Sequence, residues 1–324
     1  MRVLVTSKSF GHYAPEAIAS LRANGIELVW GSKPSMTAAE IAAEVPGFDA
    51  LIVGNDTVDA CVINAGDRLR LIHMHGTGLD AIDVDWATAK GILVANTPGA
   101  NRNAVAELSV ALMLIVARRI DRHIESLKEG RWERSAGCEI SGKTVGLLGL
   151  GNIGRRVVEL LSGFEVRIVA YDRQPEDRWV LDHGIAMAHS ADQVFSEADF
   201  LVLALPLTSQ TSAIVGARRI ALMKKGAYII NTARGGLVDE NALCAAVREG
   251  RIAGAAIDAF AQEPLPADSP LRMPGITLTP HLAATSVQAA GNVSNMVARN
   301  VIDVLVHGKR DCAVNAQQVG GRAE

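Results

Sequence analysis

The segment Thr144-Val-Gly-Leu-Leu-Gly-Leu-Gly-Asn-Ile-Gly154 decides the fold. It begins as an apolar run suited to a buried strand, continues through three glycines into a helix-forming stretch, and is followed by a second apolar run that ends at Asp172. In such a unit Gly149 permits the turn out of the strand, Gly151 lets backbone N–H groups approach a pyrophosphate, and Gly154 lets the helix pack on the sheet. The order of these parts predicts a Rossmann unit that binds a dinucleotide at the helix N-terminus.

Asp172 favours NAD as the cofactor. A carboxylate at the end of the second strand can bind both ribose hydroxyls and repels the extra phosphate of NADP. Arg173 stands beside it and could partly accept that phosphate, so the preference is not absolute. A chance glycine cluster, or another nucleotide-type cofactor such as a methyl donor, would explain the glycines alone but not the complete series of strand, turn, helix, strand and acid.

The composition argues against several classes of protein. The chain has 324 residues, of which 49% are hydrophobic and only 4% aromatic, so we expect two domains with aliphatic cores. A net charge of −3 without a basic run argues against nucleic acids and anionic membranes as partners. The four cysteines are scattered, and the chain starts in a strand-like run rather than a signal peptide, which indicates a reduced, cytoplasmic protein.

Short aliphatic runs alternate with helical segments along the chain, which is typical of parallel sheets. The helical spacing of Ser286–His307, after the last strand, indicates that the chain returns to its first domain. We predict an α/β fold of two doubly wound parallel-sheet domains: a flavodoxin-like substrate domain, residues 1–98 plus 286–324, with an inserted Rossmann NAD-binding domain, residues 99–285. The strands are expected at 3–6, 27–30, 50–54, 69–74, 92–95, 145–148, 166–171, 200–205, 227–230, 255–257 and 276–278.

A predicted helix over Asn101–Arg119 is apolar on nearly every face, so one sheet cannot account for all of its burial. We therefore expect a subunit interface there, with a central helix in a monomer as the alternative. His73 and His75 lie two residues apart on one predicted strand and could share a face. Because no third ligand accompanies them in a fitting motif, no metal site is expected.

Three polar segments that follow predicted strands carry Arg234, Glu263 and His281. Open α/β sheets bind ligands beyond the carboxyl ends of their strands, so these side chains should meet at one rim. Singly they have plain structural explanations: a surface charge, a residue before a proline turn and a loop histidine. Together they suit the reduction of a 2-oxo acid. Arg234 can bind the carboxylate, His281 can exchange a proton with the carbonyl oxygen, and Glu263 can hold the imidazole and favour its protonated form.

These segments, with His75–Asp83, Asn96–Asn101 and Leu205–Thr208, occur in the order found in the D-isomer-specific 2-hydroxyacid dehydrogenases, and the chain resembles that family over nearly its whole length. The resemblance implies the catalytic roles just given and a homodimer formed through the Asn101–Arg119 region. It also implies contacts with NAD, including one from Asp258 to the nicotinamide carboxamide. The implied cofactor-binding residues are Thr77, Gly149, Gly151, Asn152, Ile153, Gly154, Asp172, Leu205, Thr232, Ala233, Arg234, Asp258, His281 and Ala283.

The expected substrate is a small unphosphorylated 2-oxo acid of the hydroxypyruvate or glyoxylate type. Phosphoglycerate dehydrogenases resemble one another in carrying arginines in the loop after the third strand, whereas this chain has Asp56, which would repel a phosphate. One alternative is a D-3-phosphoglycerate dehydrogenase with a rearranged phosphate site, completed by a cation such as Arg134 from a second subunit. The other is an NAD(H)-sensing binding protein similar to the C-terminal-binding corepressors. The expected substrate-binding residues are Asn55, His75, Gly76, Thr77, Arg234 and His281.

Overall fold

The computed structural model describes residues 1–319. The chain divides into two compact units, of which unit 1 comprises Met1–Asn101 with the segment from Thr285 onward and unit 2 comprises Arg102–Ala284. The domain boundaries expected from the sequence differ from these by three residues (101 − 98) and by one residue (286 − 285). Residues 320–324, which the sequence assigned to the first domain, lie outside the described part of the chain.

Parallel strands joined by helices make up both units. The strands are β1 (Arg2–Val5), β2 (Glu27–Trp30), β3 (Ala50–Val53), β4 (Leu71–Met74), β5 (Leu93–Ala95), β6 (Thr144–Leu148), β7 (Arg167–Tyr171), β8 (Ala186–Met187), β9 (Phe200–Leu203), β10 (Ala227–Asn231), β11 (Ile252–Ile257) and β12 (Ile276–Leu278). The helices are α1 (Pro15–Ala23), α2 (Ala38–Glu44), α3 (Ala60–Ala65), α4 (Val84–Ala89), α5 (Arg102–Arg118), α6 (Ile120–Lys128), α7 (Asn152–Leu161), α8 (Asp177–Asp182), α9 (Ala191–Glu197), α10 (Ala217–Leu222), α11 (Glu240–Arg248), α12 (Val287–Leu305) and α13 (Ala316–Val319).

The strand orders identify both sheets as doubly wound. In unit 1 the order is β2-β1-β3-β4-β5, the flavodoxin-like arrangement. In unit 2 the order is β12-β11-β10-β9-β6-β7-β8, which contains the Rossmann arrangement with β6 as its first strand and the order reversing between β6 and β9. The predicted fold class is therefore confirmed, and the glycine-rich segment follows the strand at the reversal point, where such sheets bind their ligands.

Each sheet is buried on both faces, which explains why its strands read as continuous aliphatic runs. In unit 1, Val3 and Val5 of β1 face one hydrophobic cluster, to which α1 and α12 contribute, while Leu4 faces the other. This alternation follows from the two-residue period of a strand. Helix α12 packs on α1 and β4, so the last long helix belongs with the first strands of the chain. Its N-cap is Ser286, whose hydroxyl accepts a hydrogen bond from the Ala289 N–H.

The structure corrects some element boundaries. The run predicted as a strand to residue 205 ends at Leu203, because the next residues turn past the glycine segment: the Ala204 N–H bonds to the Leu148 carbonyl. Strand β8 was missed because two residues give no readable period. Helix α5 stops where Arg119 takes a left-handed conformation (φ 52°), and α6 begins at the next residue.

Candidate active site

Two glycines of the turn after β6 are required by close packing, and the third leaves open space. Gly149 has φ 98°, and a Cβ atom there would lie 2.4 Å from the Ala204 carbonyl oxygen. A Cβ atom on Gly154 would lie 2.2 Å from the Gly149 oxygen, so α7 can approach the turn only at a glycine. Around Gly151, no described heavy atom comes within 4 Å of the Cβ position. A ligand can therefore approach the backbone at Gly151.

The start of α7 and the Asp172 carboxylate fit a dinucleotide. Gly151 is the N-cap of α7, and no described side chain caps the first-turn N–H groups, including those of Asn152 and Ile153. Such donors suit a pyrophosphate. Asp172 directly follows β7, as predicted, and accepts hydrogen bonds from the N–H groups of Leu150 (2.7 Å) and Gln174 (2.9 Å). Its oxygens keep lone pairs that can bind ribose hydroxyls.

Arg234 follows β10, and the contacts of Asn231 and Gly235 hold the loop that carries it. The amide of Asn231, the last residue of β10, donates to the Arg234 carbonyl (2.9 Å) and accepts from the Ala233 N–H (3.1 Å). A Cβ atom on Gly235 would lie 1.8 Å from the Phe260 carbonyl carbon, so the loop after β10 packs directly on the loop after β11. The buried Asn231 was not recognised from the sequence, although a buried asparagine at a strand end must find partners for its amide.

His281 and Glu263 form a pair. Nδ1 of His281 lies 2.7 Å from Oε2 and 2.9 Å from Oε1 of Glu263, and the Phe260 N–H donates to Oε1 (3.0 Å). The His281 side chain is 43% exposed, and its other nitrogen, Nε2, makes no hydrogen bond to any described residue. A carboxylate at Nδ1 fixes the tautomer with the proton on Nδ1 when the ring is neutral and stabilises the ring when it is protonated. Nε2 is then the atom that can exchange a proton with a substrate.

Asp258 holds the loop that carries His281. Its fully buried carboxylate accepts hydrogen bonds from the Thr279 hydroxyl (2.6 Å) and from the N–H groups of Leu282 (2.9 Å) and Ala283 (2.9 Å). These bonds fix the chain on both sides of His281. The backbone of His281 is left-handed (φ 49°), which is strained for a residue with a side chain. The resemblance to the family implied a contact between Asp258 and the nicotinamide carboxamide, and that contact stays a prediction. The role visible in the structure is to position His281.

The remaining predicted cofactor residues of unit 2 lie at the same carboxyl edge. Leu205 follows β9 and Thr232 follows β10, and the Thr232 hydroxyl lies 2.7 Å from that of Ser109 in α5. Helix α5 thus reaches the edge of the sheet where the ligand-binding loops begin. The hydroxyl pair was not predicted, because a serine in an apolar helix gives no sign of its partner 123 residues away.

The predicted residues of unit 1 gather at the carboxyl end of its own sheet. His75 follows β4, and its ring nitrogens lie 2.8 Å from the Ser7 hydroxyl and 3.0 Å from the Ser294 hydroxyl. Burial lowers the pKa of His75 to about 4. Both ring nitrogens are thus hydrogen-bonded to residues of unit 1, and because of the lowered pKa the ring is neutral near pH 7.

The turn after His75 is held by its own contacts. The Asn96 amide donates to the Thr77 carbonyl (2.6 Å), and the Thr97 N–H donates to the Gly76 carbonyl (2.9 Å). Asn55 is exposed in the loop after β3. Its neighbour Asp56 accepts hydrogen bonds from the Thr6 hydroxyl (2.7 Å) and the Met36 N–H (3.2 Å).

His73 belongs to the core rather than to a ligand site. Its Nδ1 donates to the Met74 carbonyl (2.8 Å), and its Nε2 accepts from the Asn300 amide (3.0 Å). Burial lowers its pKa to about 4. His73 and His75 thus bind different partners. Among residues 1–319, no group of three or more His, Cys, Asp or Glu side chains is arranged to hold a metal ion.

Comparison with known proteins identifies the family. Residues 110–283 match the profile of the D-isomer specific 2-hydroxyacid dehydrogenase, NAD binding domain. The chain belongs to this family. The matched segment lies within unit 2, so unit 2 is an NAD-binding domain of this family and NAD is its cofactor. The prediction of NAD from Asp172 is confirmed at this level.

Relatives of the chain carry more than one kind of name. A D-3-phosphoglycerate dehydrogenase of Archaeoglobus fulgidus is 37% identical over 94% of this chain and 57% of its own. A glyoxylate reductase of Thermofilum pendens is 40% identical over 82% of this chain and 81% of its own. The crystal structure of the TT0316 protein from Thermus thermophilus superposes with a TM-score of 0.87 at 33% identity, covering 97% of this chain and all of that one. The chain spans about half the length of the phosphoglycerate dehydrogenases that it matches.

None of the helices in the described part of the chain combines the length and apolar character needed to span a bilayer.

Proposed function

We propose that the chain is an NAD-dependent oxidoreductase that interconverts a small 2-oxo acid and a D-2-hydroxy acid. The observation that carries the proposal is the His281–Glu263 pair, with Nδ1 of the imidazole 2.7 Å from the carboxylate and Nε2 without a described partner. A histidine held in this way is equipped for general acid–base catalysis. The D configuration of the product is proposed from membership of the family.

The roles of the three side chains follow from their chemistry. When bound, the nicotinamide cofactor would supply the hydride that reduces the carbonyl carbon of the 2-oxo acid and would take it up in the reverse direction. His281 gives the proton from Nε2 to the carbonyl oxygen during reduction and takes it back during oxidation. Glu263 stabilises the protonated ring and holds its orientation. Arg234 offers a planar guanidinium that binds the substrate carboxylate through two parallel hydrogen bonds.

We favour a substrate of the hydroxypyruvate or glyoxylate type. The loop after β3 presents Asp56, whose negative charge opposes a phosphate, and one of the relatives is named glyoxylate reductase. Asn55, Gly76 and Thr77 remain proposed substrate contacts. His75 would line the carboxyl end of the unit 1 sheet rather than bind the substrate by a ring nitrogen, because both nitrogens are already hydrogen-bonded. The relatives named D-3-phosphoglycerate dehydrogenase keep phosphohydroxypyruvate as the second candidate.

A turnover screen tests the proposal. Purified protein is mixed with NADH or NADPH and, in turn, glyoxylate, hydroxypyruvate, pyruvate, phenylpyruvate and phosphohydroxypyruvate, and cofactor oxidation is followed at 340 nm. We expect turnover with NADH and one of the unphosphorylated acids, and a D product on chiral analysis. A preference for phosphohydroxypyruvate would replace our substrate assignment. If no acid supports oxidation of either cofactor, the chain is not this enzyme and the NAD-sensing alternative gains support.

We also propose a homodimer, but the structure favours α6 rather than α5 as its contact surface. The prediction rested on α5, but α5 is largely covered within unit 2, where it packs on α7, β10 and β11. A group of exposed apolar side chains lies in α6 and just beyond it: Ile120, Ile124, Leu127 and Trp132. The first three follow one face of the helix, and such a stripe is typical of a surface covered by protein.

Sedimentation velocity tests the dimer. Substituting Ile124 and Leu127 by glutamate should shift the protein from dimer to monomer, whereas the same change at Leu181, another exposed apolar residue of unit 2, should not. A monomeric parent protein would contradict the proposal.

The expected cytoplasmic location stays a prediction, which cell fractionation can test.

A further inference from the structure

We propose that Arg155 is a positioning residue for the dinucleotide, acting through the glycine turn and Asp172. Arg155 follows Gly154 in α7, and its Nε donates to the Leu150 carbonyl (2.9 Å). The Leu150 N–H is in turn bound by Asp172 (2.7 Å). Both backbone polar groups of this residue, which lies between the first two glycines, are therefore held by side chains, one cationic and one anionic.

The other side of the same guanidinium holds the loop that follows Asp172. Arg155 pairs with Glu176, the residue that precedes α8, and its guanidinium carbon lies 5.1 Å from the centre of the Trp179 ring. Arg155 thus connects the two segments between which Asp172 is fixed: the glycine turn before α7 and the loop of residues 173–176. We expect the ribose-binding carboxylate to keep its place only while both segments are held.

The next residue along the chain shows what an ordinary arginine on this helix does. Arg156 pairs with Glu159 one turn further on (2.8 Å), and within residues 1–319 it makes no hydrogen bond or ion pair with the glycine turn. The two arginine side chains are equally exposed, at 31% and 32%. Arg156 is therefore a matched control for charge, burial and helix position. It differs from Arg155 in lacking the contacts with Leu150 and Glu176.

The consequence is confined to cofactor binding. Losing Arg155 removes one of the two side-chain hydrogen bonds to Leu150 and the ion pair that holds the loop of residues 173–176. Glu263 lies on the loop after β11 and His281 on the loop after β12, and both keep their contacts. We expect the R155M variant to bind NADH about tenfold more weakly, with kcat at saturating NADH within about twofold of the parent. Because Asp172 also repels the phosphate of NADP, the ratio of NADPH to NADH dissociation constants should fall.

The test is a titration of NADH and NADPH against the purified protein, read by cofactor fluorescence without substrate, so it does not depend on the proposed reaction. R156M should bind like the parent protein. R155K, which keeps the charge but not the fork, and E176Q, which keeps the bond to Leu150, should each weaken NADH binding about threefold. The proposal is overturned if R155M binds NADH within twofold of the parent, or if R156M is weakened as much. Should R155M fail to fold, unchanged binding by both R155K and E176Q would overturn it instead.

Discussion

His75 and His281 occupy corresponding places in the two units and have opposite surroundings. Each follows the carboxyl end of a parallel strand, β4 in unit 1 and β12 in unit 2. His75 is bonded through both nitrogens to serine hydroxyls, and burial lowers its pKa to about 4. His281 is bonded through one nitrogen to a carboxylate and is 43% exposed. The position at a strand end is shared, so the partner and the exposure decide which histidine can exchange protons.

The largest expected effect separates the two histidines. Replacing His281 by asparagine should lower kcat about 10³-fold, because the proton donor is lost, while NADH binding stays within about twofold. The measurement is steady-state kinetics on the preferred substrate together with a fluorescence titration of NADH. His189→Asn, at an exposed position of the same unit, serves as the control and should leave kcat unchanged. Equal activity of the H281N and parent proteins would remove His281 from the proposed role.

Glu263 should account for part of the difference between the two rings. The E263Q variant keeps a side chain of the same size at Nδ1 but replaces the carboxylate by a neutral amide, so the charge-assisted hydrogen bond that orients the ring is lost. We expect kcat for reduction to fall about 30-fold while NADH binding stays within about twofold. Steady-state kinetics together with a fluorescence titration of NADH check this. An unchanged kcat would show that Glu263 does not act through His281.

Asp258 should matter less than Glu263, because it acts through the backbone. The asparagine of D258N offers one accepting oxygen where the carboxylate accepts three hydrogen bonds, so the loop of residues 279–283 loses bonds that hold His281 at φ 49°. We expect kcat about tenfold lower and a melting temperature lower by several degrees. An unchanged kcat with a lowered melting temperature would mean that the anchor serves stability alone.

The smallest effect concerns stability and tests the unit 1 side of the comparison. His73 and His75 have pKa values of about 4 in the folded protein, against 6.5 for an unperturbed ring. The folded state binds fewer protons than the unfolded chain, so the stabilisation is complete above pH 6.5 and is lost as the pH falls towards 4. Each ring should cost about 1 kcal/mol of unfolding free energy between pH 7 and pH 5.5. Urea unfolding at both pH values should show a smaller change for H75N than for the parent.

Much of the fold was predictable from local sequence, because a buried parallel sheet demands uninterrupted aliphatic strands. The glycine turn, Asp172 after β7 and the loops carrying Arg234 and His281 were all located in this way. Strand β8 was not, because its two residues carry too little periodicity. The Ser7–His75–Ser294 contacts were also not predicted, since they join residues as far as 219 positions apart.

The sequence by itself determined the chemistry that is available: a glycine turn suited to a dinucleotide, an acid suited to a ribose, and one arginine, one glutamate and one histidine at strand ends. Tertiary structure decided how each group is used. It buried Asp258 beneath the His281 loop, gave His75 two hydroxyl partners and His281 one carboxylate, and joined Arg155 to Leu150 and Glu176. The reason is physical: residue type sets what a side chain can donate or accept, whereas its partners and exposure are fixed only when distant strand ends come together.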